Sequence, residues 1–229
     1  MNGLFSMDGP FFRFGNMLAD IMLLSFIWLL FSIPLITIGA STTALFYVTT
    51  RRISDKEGYL FRDFVSSFKA NFKQATLTWL LLSALVGLVV TNLFLLQNEA
   101  FNSDFAVILY PLQMIILIEL FITSIYIFPL IARFEMSFLQ TIKTAFFMAN
   151  RHLLTTASCV AVAIAVFLLT LIFAPLVFIA IGVYAYATSY MVMTLFKKYR
   201  PEIDSENYAA EPLAPIKDIR EEKEESDGV

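Results

Sequence analysis

The chain has 229 residues, of which 59% are hydrophobic and only 15% charged, and its mean hydropathy is +0.74; a soluble domain is about 45–50% apolar and about 25% charged, so this composition belongs in a bilayer. One cysteine (Cys159) and one histidine (His152) exclude disulfides, thiolate zinc sites, CxxC redox pairs and HExxH chemistry within one chain, and no GxxxxGK[ST] or GxGxxG string occurs among the eight glycines. The net charge of −3 averages unlike parts: 13 basic and 9 acidic side chains up to residue 200, against 3 and 10 in residues 201–229.

A hydrocarbon core about 30 Å thick takes roughly 20 apolar residues of helix. Residues 12–33, 75–96 and 105–131 satisfy this, and the long run 153–196 is expected to fold into two spans at Pro175, which removes a backbone donor and clashes with the preceding turn. Residues 35–50 are apolar and small but barely long enough. They read as a short sixth span begun at Pro34, with Gly39, Ala40 and Ser41 allowing close helix contact, or else as an interfacial segment that leaves five. Asp8 stands where a signal peptide has its basic region, so the first helix is expected to be retained.

Basic loops set orientation. Arg51, Arg52, Lys56, Arg62, Lys69 and Lys73 fill one connection, and Arg133, Lys143 and Arg151 another; both are expected to be cytoplasmic. The connection between residues 97 and 104 has Glu99 and Asp104 but no Lys or Arg and is expected outside. Lys197, Lys198 and Arg200 put the C-terminus inside, and Arg13 favours an inside N-terminus, which together require an even number of spans.

Each cytoplasmic connection carries an amphipathic stripe. Phe61, Phe64, Phe68 and Phe72 recur at helical spacing with Arg62, Lys69 and Lys73 elsewhere, and Phe138, Ile142 and Phe146 repeat every four residues beside Lys143. Aligning Phe64 with Phe138 also aligns Lys69 with Lys143, which suggests a duplication of span, basic turn, amphipathic helix and span. Such helices lie in the headgroup layer with Phe down and Lys up, or present a docking surface to a cytoplasmic protein through Arg62, Phe64, Phe68, Lys69, Phe72, Lys73, Phe138 and Lys143.

Two carboxylates fall inside predicted spans, where ionisable groups are costly and mark function by default. Asp20 is expected to bond a neighbouring helix or pair with a base such as Arg13. Glu119 sits near the middle of its predicted span and is a candidate for a proton, an ion or a sugar hydroxyl, or for an internal clamp with Asn92 or Gln113. His152 has no second His or Cys to share a metal with. Ser41 lies in a GxSx string that intramembrane serine proteases also contain, but the six-span arrangement puts Ser41 and His152 at opposite faces. No catalytic residue, metal or cofactor is expected, and no nucleic-acid partner. After Pro201 the chain becomes acidic and poor in large apolar residues, which predicts a disordered tail.

The opening MNGLFSMDGPFFRFGNMLAD, the string SIPLITIGASTTALFYVT at 32–49 and FRDFVSSFKANFKQAT at 61–76 resemble the YesL family of small integral membrane proteins of Gram-positive bacteria, a domain of unknown function. The resemblance covers residues 1–197. It implies an accessory subunit of an ABC importer for oligosaccharides, with permease subunits and their cytoplasmic ATPase as partners and no chemistry of its own; it supplies no catalytic residues.

The resulting expectation is an all-α polytopic bundle in the cell membrane, with about six transmembrane helices and two cytoplasmic amphipathic helices in residues 1–200, and a disordered acidic tail in 201–229. The leading functional reading is an accessory or regulatory subunit of a carbohydrate importer. The alternative is a stand-alone secondary transporter or channel using Glu119 and Asp20.

Overall fold

The structure, a computed structural model, describes residues 10–54, 59–96 and 104–199. The predicted tail, the connection holding Lys56, and the acidic connection up to residue 103 lie outside the described residues. Every described element is helical: α1 Pro10–Phe31, α2 Ile38–Ile53, α3 Leu60–Leu96, α4 Asp104–Arg133, α5 Phe138–Arg151, α6 Leu153–Ile172 and α7 Val177–Tyr199, with 3-10 turns at Leu35–Thr37 and Ala174–Leu176. Both turns follow or contain the prolines, Pro34 and Pro175, that the sequence marks as breaks.

Four stretches are long and apolar enough to cross a membrane: Leu60–Leu96, Ile108–Arg133, Leu153–Ile172 and Ala174–Tyr199. The chain is therefore a multi-pass membrane protein of the all-α class. Beside these four, α1 contributes the shorter apolar stretch Gly15–Phe31, and α2 has 16 residues, about 24 Å of rise.

α2 is short and central. It packs against α1, α3, α4 and α7, and Ala40, Ala44, Leu45 and Val48 are buried, so its small and β-branched residues meet other helices, where close approach is favoured. A Cβ at Gly39 would run into the Ala75 carbonyl oxygen and the Trp79 side chain. The Trp79 indole donates to the Leu35 carbonyl at 2.9 Å. The α1–α2 connection thus lies beside Trp79, while residues 80–96 of α3, about 25 Å of helix, continue beyond it. α1 meets α7 just as closely: a Cβ at Gly182 would strike Ser25 Oγ and the Ile21 carbonyl, and the Gly182 amide donates to Ser25 Oγ at 3.1 Å.

The two predicted amphipathic helices are built differently. The first is not a separate helix, because residues 61–73 run straight into the apolar segment as one 37-residue helix, about 55 Å long; no Pro, Gly or capping residue interrupts the join at Lys73–Ala75. The second, α5, is a distinct helix. Ser137 caps its start, accepting from the Gln140 amide, and His152, at φ −112° and ψ 55°, breaks the chain before α6.

Candidate functional site

The end of α2 is tied by polar side chains to four other helices. Arg52 Nε lies 3.0 Å from Asp20 Oδ2 on α1, and Arg51 Nη1 lies 3.3 Å from Asp63 Oδ2 on α3. Arg133, at the end of α4 and almost fully buried, donates from Nε to Thr50 Oγ1 at 2.6 Å and lies over the Tyr47 ring, 5.5 Å from its centroid. The neighbouring Thr49 hydroxyl shares a 2.7 Å hydrogen bond with Ser189 on α7. This is a polar seam in an apolar bundle, with carboxylates and hydroxyls facing guanidinium groups, as buried charge requires. Asp20 therefore has a base as partner, as expected, but the base is Arg52.

Most of the Phe stripe of α3 packs inside the protein, with Phe61 alone of the four exposed. Phe64 is fully buried, and Phe31 of α1 sits edge-on to Phe64 and Phe68 with centroids 5.4 and 5.1 Å away; Phe72 packs on Phe68 at 5.4 Å. Phe64 is thus core rather than docking surface, and Phe68 and Phe72 are half-buried on the same face. Arg62, Lys69 and Lys73 remain exposed on the opposite face.

α5 packs on the bundle by a face other than its Phe stripe. Thr141, Ala145, Met148 and Ala149 form its buried face, while Phe138 and Ile142 are only half-buried and Phe146 is exposed. Small residues on that face let the helix lie close to its neighbours, and hydrogen bonds then fix both its ends. Gln74 Nε2 of α3 donates to the Met136 carbonyl and to Thr141 Oγ1 at 3.0 and 3.1 Å. At the far end Thr156 Oγ1 donates to the Ala149 carbonyl at 2.9 Å and lies 2.9 Å from the Tyr126 hydroxyl.

This clamp brings Asn150 to Glu119. Asn150 Nδ2 donates to Glu119 Oε1 at 2.6 Å, and Thr123 Oγ1 lies 3.4 Å from the same oxygen. The predicted clamp with Asn92 or Gln113 does not form: Asn92 is exposed, and Gln113 is buried with no hydrogen bond to its Oε1 among the described residues. Glu119 and Lys143 line one cleft of about 350 Å³ between α3, α4 and α5, walled by Leu81, Leu85, Ile116 and Phe146. Asn150 is a partner of Glu119 that the apolar pattern of the spans does not pick out. Its position one residue before Arg151, at the end of the α5 stripe, is the signal that could have found it.

Asp20 and Glu119 belong to separate contacts on different helices. Ser41 is buried in α2 with no hydrogen-bond partner among the described residues, whereas His152 Nε2 meets the Tyr199 hydroxyl, so these two share no hydrogen bond. Partial burial, then Lys198 and Arg151 nearby, hold the His152 imidazole below its ordinary pKa. No three His, Cys, Asp or Glu side chains gather among the described residues.

No curated protein and no solved structure matches the chain. Residues 21–93, which run from α1 through α2 into the last turns of α3, match the model of a family described as a protein of unknown function, DUF624, and it is to this family that the first part of the chain is similar.

Proposed function

We propose that this protein is an accessory integral membrane subunit of an ABC-type carbohydrate importer, one that binds permease helices within the bilayer and offers a basic helical face to the cytoplasmic ATPase. The observation that carries the reading is the opposition of faces on α3: Phe64, Phe68 and Phe72 pack toward α1, leaving Arg62, Lys69 and Lys73 outward on a continuous helix. A cation stripe fixed on a rigid helix steers an anionic partner at little conformational cost. The resemblance to the YesL family supplies the importer. The alternative, a stand-alone transporter, asks Asp20 and Glu119 to share a path, and they are held by Arg52 and Asn150 in different contacts.

The test is affinity purification in mild detergent from cells producing the protein with its candidate permease and ATPase. Co-recovery of both is expected, and Lys69→Glu with Lys73→Glu is expected to lose the ATPase at low salt, the difference from the unsubstituted protein shrinking as salt rises. Recovery of the folded protein without either partner would overturn the proposal.

A further inference from the structure

We propose that the acidic segment 218–227 of this chain docks on the cationic stripe of its own α3, covering Arg62, Lys69 and Lys73 until an anionic partner displaces it. The three side chains are exposed. They stand seven and then four residues apart on one helix, so they share a line along it about 16 Å long. None of them enters an ion pair among the described residues, where Asp63 is held by Arg51 and Asp20 by Arg52. Segment 218–227 has six carboxylates against Arg220 and Lys223, with Glu221, Glu222, Glu224 and Glu225 at its centre.

The place where the chain leaves the bundle favours this occupant. The last turns of α7 lie at the same end as the start of α3. Phe196 of α7 is edge-on to Phe134 at 5.0 Å, the preceding Arg133 bonds Thr50 of α2, and the next residue of α2, Arg51, pairs with Asp63 of α3. The 18 residues from Arg200 to Lys217 reach up to about 60 Å when extended, more than the length of α3, so every point of the stripe is within range. Exposed ion pairs are individually weak, and a free acidic peptide would hold poorly. A tethered one meets the stripe at an effective concentration in the millimolar range. Docked, the segment screens the face offered to the ATPase and admits only a partner that binds more strongly. That consequence rests on the function proposed above; the docking does not, and the protein purified without partners tests it.

A water-soluble carbodiimide joins an amine to a carboxylate only where the two touch. In the full chain in neutral detergent, crosslinks from Lys69 and Lys73 to Glu221, Glu222, Glu224 or Glu225 are expected. When light and isotope-labelled protein are mixed, both ends are expected in the same molecule. The yield is expected to fall at least about fivefold between about 0.1 and about 1 M salt, as the screening length shrinks from about 10 to about 3 Å. Arg62→Gln, an exposed substitution that removes no crosslinking amine, is expected to lower the yield about two- to threefold, the size of one exposed ion pair. Crosslinks confined to Lys217 and Lys223 within the tail would overturn the proposal, as would crosslinks that join light to labelled molecules, or a yield untouched by salt and by Arg62→Gln. Loss of the crosslinks in nanodiscs when phosphatidylglycerol replaces phosphatidylcholine would give the stripe to anionic lipid and overturn it equally.

Discussion

Thr50 shows how one hydroxyl settles a buried charge. Its Oγ1 donates back along α2 to the Phe46 carbonyl at 2.6 Å and accepts from Arg133 Nε at 2.6 Å, so its single proton and a lone pair are both used. Replacing it with valine keeps the shape and removes the acceptor. Because hydrogen bonds to charged groups contribute about 1.5–3 kcal/mol and an unsatisfied buried donor costs about as much, Thr50→Val is expected to destabilise the protein by about 1–3 kcal/mol in detergent. In a double-mutant cycle with Arg133→Leu the losses should couple rather than add. Additivity within about 0.5 kcal/mol, the range for independent sites, would show that this contact does not anchor α4. Arg133 entered the sequence reading only as a loop charge that sets orientation. Its burial follows from packing between α2 and α4, which the residue's position after an apolar run does not reveal. Asp20 was easier to read, since a carboxylate in an apolar helix must find a base; which base depends on how α1 and α2 pair.

At the scale of the helix, what was legible is the apolar pattern, and what was hidden is which face meets which neighbour. The residues that break α1 from α2 and α6 from α7 are prolines, and their consequence is local. Which face of α5 packs is not local: Phe138, Ile142 and Phe146 form the more hydrophobic stripe, but Thr141 and Ala145 allow closer approach to the bundle and bring the hydrogen bond from Gln74, as small residues do where helices meet. The glycines test this. Gly39→Ala and Gly182→Ala put a methyl against backbone carbonyls of α3 and α1, and overpacking of this kind costs about 1–3 kcal/mol. Gly87→Ala, where an added Cβ meets nothing within 4 Å, is expected to be neutral or to stabilise α3 by up to about 1 kcal/mol through helix propensity. Thermal unfolding of the three variants in one detergent checks the contrast. Equal stability of all three would mean that the close approaches at Gly39 and Gly182 are not what joins α1–α7 and α2–α3.

For the molecule as a whole, length against membrane thickness decides what lies where. α3 has 37 residues, about 55 Å, against a hydrocarbon core of about 30 Å, so roughly half of it must stand outside the core. Charge selects which half: Arg62, Asp63, Lys69 and Lys73 all fall in residues 60–73, and no charged residue follows up to Leu96. The cost of burying Lys or Arg, about 2.5–3.5 kcal/mol each at the centre of a span, makes the reverse placement untenable. On the positive-inside bias this half is expected in the cytosol. Cys159, the single cysteine of the chain, is buried, so the protein itself should resist a membrane-impermeant maleimide and serve as its own background. On that background Asn92→Cys, at an exposed position near the far end of α3, is expected to label in intact cells. Lys69→Cys, exposed on the charged half, is expected to label only after the membrane is opened, and Leu88→Cys, exposed on the apolar half, in neither state, because lipid shields it. Labelling of Lys69→Cys in intact cells would reverse the orientation, and with it the side from which a cytoplasmic partner could reach the basic face of α3.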